Sequence, residues 1–285
     1  MTTAIVCGSG GYRTVFIHGA LSEFETAGFR AEAYAGTSAS GLPAACAAVG
    51  ASREIGADYW QKALAMKTTV ERGMSDVMLI SIAEWGDYIR ARLFQPGMPR
   101  YLIPASLVIN ETAAAQTQSE QARRLGRKLL LAAARRQAEP WVQENLESHL
   151  FDTHGEPRLT PENFDEVLYA STRMMHAWDV PAWIQGKPYI DASYLCAIPA
   201  VEVAEKGYDE VIAIAADPPG ALYRDIFGTW EVPHEHHGVP IHLIMPDYEV
   251  GKAGADFTDA TPEGLVQVYE HGREKARQFL DKRKL

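Results

Sequence analysis

Two strand–turn–helix units follow one another at the start of the chain, and together they restrict the fold more than any other feature. Ala4 to Cys7 is a short apolar run that breaks at Gly8-Ser9-Gly10-Gly11-Tyr12-Arg13-Thr14, after which a helical pattern extends to about Gly28. Glu32 to Ala35 is a second strand-like run. It meets Gly36-Thr37-Ser38-Ala39-Ser40 and then a small-residue helix from Leu42 to Val49. Strands alternating with helices build parallel sheets, because a strand returns beside its predecessor only through a crossover. Both loops then open at the same end of one sheet, the end where ligands collect in such folds. Tyr101 to Ile109, Val211 to Ala215 and Ile241 to Met245 are apolar runs that suit further buried strands. The expected fold is α/β, a mainly parallel central sheet covered by helices on both faces.

The second loop has a chemical signature. A serine at a tight strand-to-helix turn presents its hydroxyl at the sheet edge and leaves nearby N–H groups free. Such a turn needs small residues two before and two after the serine; Gly36 and Ser40 meet that need, Ser40 less well than glycine would. Pro43 suits the first helical turn, where its missing N–H costs nothing. Taken alone, the stretch fits a Gly/Ser loop capping a helix equally well.

The first loop has two readings. A glycine loop at a helix N-terminus gathers free N–H groups and a positive dipole, a natural place for negative charge. One reading is a dinucleotide fingerprint with Glu32 as the ribose-binding acid, but Arg13 stands where the third glycine should be. The other is an oxyanion hole for a tetrahedral acyl intermediate.

Composition narrows the function classes. The 285 residues can bury a sizeable core, and a net charge of −10 argues against nucleic acid as a partner. No run approaches the ~18 apolar residues of a membrane span, and no basic leader with a cleavage site precedes the first strand. Cys7, Cys46 and Cys196 are too scattered for a disulfide framework or a zinc site and read as core thiols of a reducing compartment. A cytoplasmic location follows as an expectation.

Farther along, Ala51 to Pro99 reads as mostly helical, and His149 to Phe164 as a loop with Gly155, Pro157 and Pro161. Gln121 to Glu139 combines Arg123, Arg124, Arg127, Lys128, Arg135 and Arg136 with an apolar side of Ala122, Leu125, Leu129, Ala132 and Ala133. It is either a packed helix with a solvated basic face or a surface for anionic lipid, with Arg123, Arg124, Arg127 and Lys128 as its contacts. Tyr189-Ile190-Asp191 ends a strand-like pair, and an aspartate followed by Ala192-Ser193 is on its own most simply a turn former. His234-Glu235-His236-His237 invites a metal reading. The histidines are crowded and no distant partner is evident, so an exposed loop accounts for them and no metal is expected. Thr261-Pro262-Glu263 starts a last amphipathic helix.

Ser9-Gly10-Gly11-Tyr12-Arg13-Thr14, a helix, and Gly36-Thr37-Ser38-Ala39-Ser40 resemble the patatin-like phospholipase family, whose members carry a Gly-Gly-Gly-x-Arg-Gly oxyanion loop and a Gly-x-Ser-x-Gly nucleophile turn at about this separation. An Ala-Ser segment, Pro181, Gly186-x-x-Tyr189-x-Asp191 and Pro199 repeat the order around the family's catalytic Asp-Gly motif. Ser9, Thr14, Ser40 and Ala192 stand where the family has glycines. The resemblance runs from residue 4 to about residue 280 as one domain in a three-layer sandwich, with residues 111–165 as a helical insertion.

The resemblance implies a serine acyl-ester hydrolase acting on phospholipids or other lipid esters through a Ser-Asp dyad. Ser38 would be the nucleophile and Asp191 the general base. Gly10, Gly11, Tyr12 and Arg13 would form the oxyanion loop, with N–H groups of its Gly10-Gly11 part holding the oxyanion and Arg13 helping to fix it, and Gly36 and Ser40 would frame the nucleophile turn. No cofactor is implied; the partners would be an acyl-ester substrate and the surface of an anionic membrane. Three alternatives stay open: a Ser-His-Asp hydrolase using His176, His242 or His271, a lipid binder of the same fold without turnover, and nucleotide binding.

Overall fold

The computed structural model describes residues 1–283. In chain order the elements are β1 (Thr3–Cys7), α1 (Val15–Thr26), β2 (Ala33–Gly36), α2 (Gly41–Val49), α3 (Ser52–Ile55), α4 (Asp58–Lys67) and α5 (Met74–Leu93). Then follow β3 (Arg100–Val108), α6 (Glu111–Thr117), α7 (Ala122–Ala134), α8 (Pro140–Asn145), β4 (Leu146–Asp152), α9 (Phe164–Thr172), β5 (Ala182–Ile184) and β6 (Lys187–Ile190). The chain ends with α10 (Ala200–Ala204), β7 (Glu210–Ile214), β8 (Glu235–His236), β9 (Val239–Ile244) and α11 (Pro262–Arg283).

All of the strands belong to one nine-stranded sheet of order β5-β6-β3-β2-β1-β7-β9-β8, with β4 also paired to β3. Its middle, β3-β2-β1-β7-β9, is parallel throughout; the antiparallel strands lie at the two margins. Alternate residues of β1 serve opposite faces: Ile5 and Cys7 join the larger core, Ala4 and Val6 the smaller. The larger core lies under α1, α2, α5, α9 and α11; the smaller is covered by α10 and by irregular chain carrying Leu222 and Val232. Helices thus flank both faces, one thickly and one thinly.

His149 to Asp152, read from sequence as loop, is strand: β4 pairs antiparallel with β3 from Leu102↔Asp152 to Val108↔Leu146. Glycine and prolines crowd the segment only after β4 ends. The segment 111–165 therefore supplies three helices and one strand of the main sheet. No helix among the described residues is long and apolar enough to cross a membrane.

One irregularity of β3 prepares the site. Arg100 N–H bonds to the Glu32 carbonyl and Tyr101 N–H to Thr153, so even-numbered residues of β3 face β2 and odd-numbered ones face β4. Along the even edge, β2 pairs with residues 100–102 and β6 arrives from the opposite direction at residues 106–107. Pro104 lies in the gap and has no N–H to leave unpaired. The ends of β2 and β6 meet head to head across this gap, which brings Ser38 opposite Asp191.

Candidate active site

Ser38 follows β2 after one residue and adopts φ of 56°, a left-handed conformation that costs a non-glycine residue energy. The turn is tight. A Cβ at Gly36 would come within 2.6 Å of the Ser40 carbonyl oxygen, so only glycine fits there. Ser40, in place of a glycine, is used: its Oγ accepts the Thr37 N–H at 3.0 Å and donates toward the carbonyls of Cys7 and Thr37. The hydroxyl thereby ties the turn to the end of β1.

Ser38 Oγ donates to Asp191 Oδ2 at 2.8 Å, and Asp191 Oδ1 accepts the Ser193 N–H at 2.7 Å. Ser38 is 3% exposed and Asp191 0%. Burial pushes the Asp191 carboxyl up to about 6, against the pull of the bonds from Ser193 and Ser38. No cation is paired with it among the described residues. A hydroxyl held on such a carboxylate is a proton-transfer pair poised close to neutral pH.

The end of α9 holds both partners, a role that the sequence reading did not find. The Ser38 N–H donates to Ser171 Oγ at 3.0 Å, and the Asp191 N–H donates to the Arg173 carbonyl at 3.1 Å. The Arg173 side chain, fully buried, in turn grips the carbonyls of Val180 and Thr117. Ala170-Ser171 was the available signal, visible only as a marker of order along the chain.

The glycine loop follows β1 and lies beside the serine turn, since Cys7 pairs with Gly36 across β1 and β2. It splits into two parts. Among the described residues, the N–H groups of Gly10 and Gly11 enter no hydrogen bond. The Tyr12 N–H donates to the Phe257 carbonyl at 3.1 Å and the Arg13 N–H to the Gly10 carbonyl at 3.2 Å. Tyr12 and Arg13, expected as members of the oxyanion loop, thus have their N–H groups engaged. Arg13 braces the loop through its side chain, with Nε 3.3 Å from the Gly10 carbonyl oxygen and its guanidinium over the Phe257 ring. Gly11 has φ of 59°, and a Cβ there would collide with the Phe257 carbonyl at 1.9 Å. Thr14, where a glycine was expected, donates its hydroxyl to the Gly11 carbonyl at 2.6 Å.

Two hollows flank the loop. A narrow apolar slot of about 30 Å³ is lined by Gly11, Tyr12, Ala39, Trp60, Met78 and Trp178. A wider cavity of about 490 Å³ lies at the switch between β1 and β7, with Ser9, Arg13, His176, Asp217 and Phe257 in its wall. Ser38 and Asp191 line neither; the loop and Ala39 connect them to both.

The other expected residues fall elsewhere. Glu32 accepts the Thr3 N–H at 2.6 Å, at the opposite end of the strands from the glycine loop, and so cannot reach a nucleotide held there. Among the described residues no histidine bonds to Ser38 or Asp191: His242 faces Glu210, His271 faces Asp247, and His176 Nδ1 is buried without a partner. On α7, Arg123 pairs with Asp179 and Lys128 with Glu139, while Arg124 and Arg127 enter no ion pair among the described residues.

No protein-family model matches this chain, and none of the curated proteins does either. Among solved structures it is similar to VipD from Legionella pneumophila, at 10% sequence identity and a TM-score of 0.47, over 99% of this chain and 67% of that one.

Proposed function

We propose that this protein is a serine acyl-ester hydrolase that works through a Ser38–Asp191 dyad on phospholipids or other lipid esters. The observation that carries the reading is the direct 2.8 Å bond from a strained, buried serine hydroxyl to a buried carboxylate that lacks a cation. The motif resemblance of the glycine loop, the serine turn and the Asp191 segment supports the same chemistry. Ser38 Oγ attacks the ester carbonyl as its proton passes to Asp191 Oδ2. The N–H groups of Gly10 and Gly11, the unengaged donors of the loop, hold the oxyanion. The leaving alcohol takes the proton from Asp191, and an acyl-serine remains. Water then attacks the acyl group, gives its proton to Asp191, and Ser38 recovers it when the acid is released.

A fluorophosphonate probe tests the nucleophile. The wild type should be labelled at Ser38 and should hydrolyse p-nitrophenyl esters, and Ser38→Ala should lose both. Labelling that survives in Ser38→Ala, or maps to Ser9 or Ser193, overturns the assignment.

A further inference from the structure

The histidines near residue 236 lack a partner in sequence, but the fold supplies one. Glu205, directly after α10, faces the β8–β9 hairpin and accepts a bond from His236 Nε2 at 3.0 Å. His236 and His237 bring their ring centroids to 4.2 Å of each other. One carboxylate oxygen and two imidazole nitrogens from these three residues lie within 4.8 Å of one another. His237 is also conformationally unusual. With Gly238 it forms the two-residue connection between β8 and β9, at φ of 50° and 83°. Such a turn favours Asn, Asp or Gly at its first position, so a histidine there is held against local preference.

We propose that Glu205, His236 and His237 bind one divalent first-row transition ion, of the Zn²⁺ class, which fastens the β8–β9 hairpin to the end of α10. Tetrahedral zinc with bonds of ~2.0–2.2 Å places its ligand atoms about 3.3 Å apart. The side chains of Glu205 and His237 are exposed, so closing from within 4.8 Å to that spacing displaces no packed neighbour. Two imidazoles and one carboxylate suit zinc, nickel or copper, whereas magnesium and calcium take oxygen ligands. The ion takes the place of the hydrogen bond between His236 Nε2 and Glu205; the neutral ring loses its Nε2 proton and takes one up at Nδ1, so it binds as neutral imidazole and Glu205 as carboxylate. Three protein ligands leave a fourth position for water. The site lies where β9 begins, at the end of the parallel strands opposite to Ser38, and β8 is the outermost strand of its margin. Its effect is on the sheet edge and is independent of ester chemistry.

The test uses the full chain, freed of metal with EDTA, titrated with ZnCl2 by calorimetry and melted with and without Zn²⁺. One ion should bind per chain and the melting temperature should rise. His236→Ala and Glu205→Gln should each weaken binding at least tenfold. His237→Asn removes a ligand and suits the turn better. Its metal-free melting temperature should equal or exceed the wild type's, while its Zn²⁺-induced shift is lost; opposite signs separate ligand loss from misfolding. Mg²⁺ should produce no shift, and Ser38→Ala should bind Zn²⁺ normally. Absence of Zn²⁺ binding by the wild type, or binding that survives all three substitutions, overturns the proposal.

Discussion

Asp191 and Asp152 are both fully buried against β3, one at each end of the parallel strands, and they are held in opposite ways. Asp152 receives Arg100 on both carboxylate oxygens, the His154 N–H at 2.8 Å and Lys206 at 3.9 Å. Despite burial, these partners keep its carboxyl below the usual range. Glu210, at the same end, is held low against burial by Arg283 and Thr3. Asp191 has only neutral donors, and burial raises it; burial also raises Asp217 at that end, although Arg13 pulls it back. At one end of the sheet the partners outweigh burial, and at the other burial outweighs the partners. Uncompensated charge stabilises nothing, and its place beside a strained serine is what the proposed dyad draws on.

Asp191→Asn breaks the comparison most directly. Asn can still accept the Ser193 N–H and donate to Ser38 Oγ, so the fold is kept while the proton acceptor is lost. Ester hydrolysis should fall by about 10²–10⁴-fold, read as kcat on a soluble ester, with single His→Ala variants retaining most activity. One histidine variant as inactive as Ser38→Ala would return the triad reading. The same substitution should stabilise the protein. A carboxyl raised from 3.8 to about 6 contributes stability that is present below its unfolded pKa and is lost as pH rises through the folded value. A shift of that size corresponds to about 3 kcal/mol. Asp191→Asn should therefore melt above the wild type at pH 8, and the gap should close near pH 4.

At the compensated end the signs reverse. Arg100→Leu leaves Asp152 buried with its nearest cation at 3.9 Å and should cost about 3 kcal/mol at pH 7, measured by urea unfolding. Asp152 has a lowered carboxyl, so its contribution is present above the unfolded pKa and is lost as pH falls through the folded one. The Arg100→Leu deficit should shrink below pH 4, and activity per folded molecule should stay near the wild type's. A variant that stays stable but loses its activity would place Arg100 in the chemistry and undo the contrast.

Smaller in effect is the pH profile itself. With Asp191 as base, kcat/KM should rise with pH and level off above about 6, with a slope of one proton on the acid limb. Ser171→Ala should leave this midpoint close to 6 and lower the rate, because Ser171 holds the Ser38 N–H and not the carboxylate. A flat profile from pH 5 to 8 would remove Asp191 from the role.

Much of the pair of ends was legible in sequence, for a local reason. A tight strand–serine–helix turn needs small residues at fixed offsets within one short segment, so Gly36, Ser38 and Ser40 announce themselves without any knowledge of the fold. What holds the turn is not local. Ser171 meets Ser38 across 133 residues, and Phe257 reaches the glycine loop from the far end of the chain to occupy the Tyr12 N–H. From sequence, Tyr12 and Arg13 therefore group with Gly10 and Gly11 in one loop, and nothing local separates the engaged N–H groups from the free ones. β4 was hidden for a related reason: Leu146-Glu-Ser-His-Leu-Phe-Asp152 becomes strand because β3 has a free edge to fill, and composition does not record that edge.

The smallest expected effect concerns α7, where the contrast between compensated and uncompensated charge repeats on the surface. Leu130 and Ala133 of this helix line the wider cavity beside Ser9 and Arg13, so α7 stands at the same end of the sheet as the glycine loop. Leu130 is 40% exposed and Leu131 52%, an apolar fringe beside the basic face. Arg123 and Lys128 are answered by Asp179 and Glu139; Arg124 and Arg127 are not answered among the described residues. If this face meets anionic lipid, the unanswered arginines carry the attraction. Arg124→Gln and Arg127→Gln should each weaken binding to anionic vesicles about fivefold, and Arg123→Gln and Lys128→Gln should do less, since each removal frees an acidic partner. Salt should mimic the first pair, because attraction at a wet surface is screened within ~10 Å at 0.1 M. Hydrolysis of a soluble short-chain ester should not change, because Ser38 and Asp191 are untouched. Equal losses on soluble and vesicle substrates would make the basic face part of the packing of α7. Vesicle binding indifferent to salt and to all four substitutions would leave it a solvated surface.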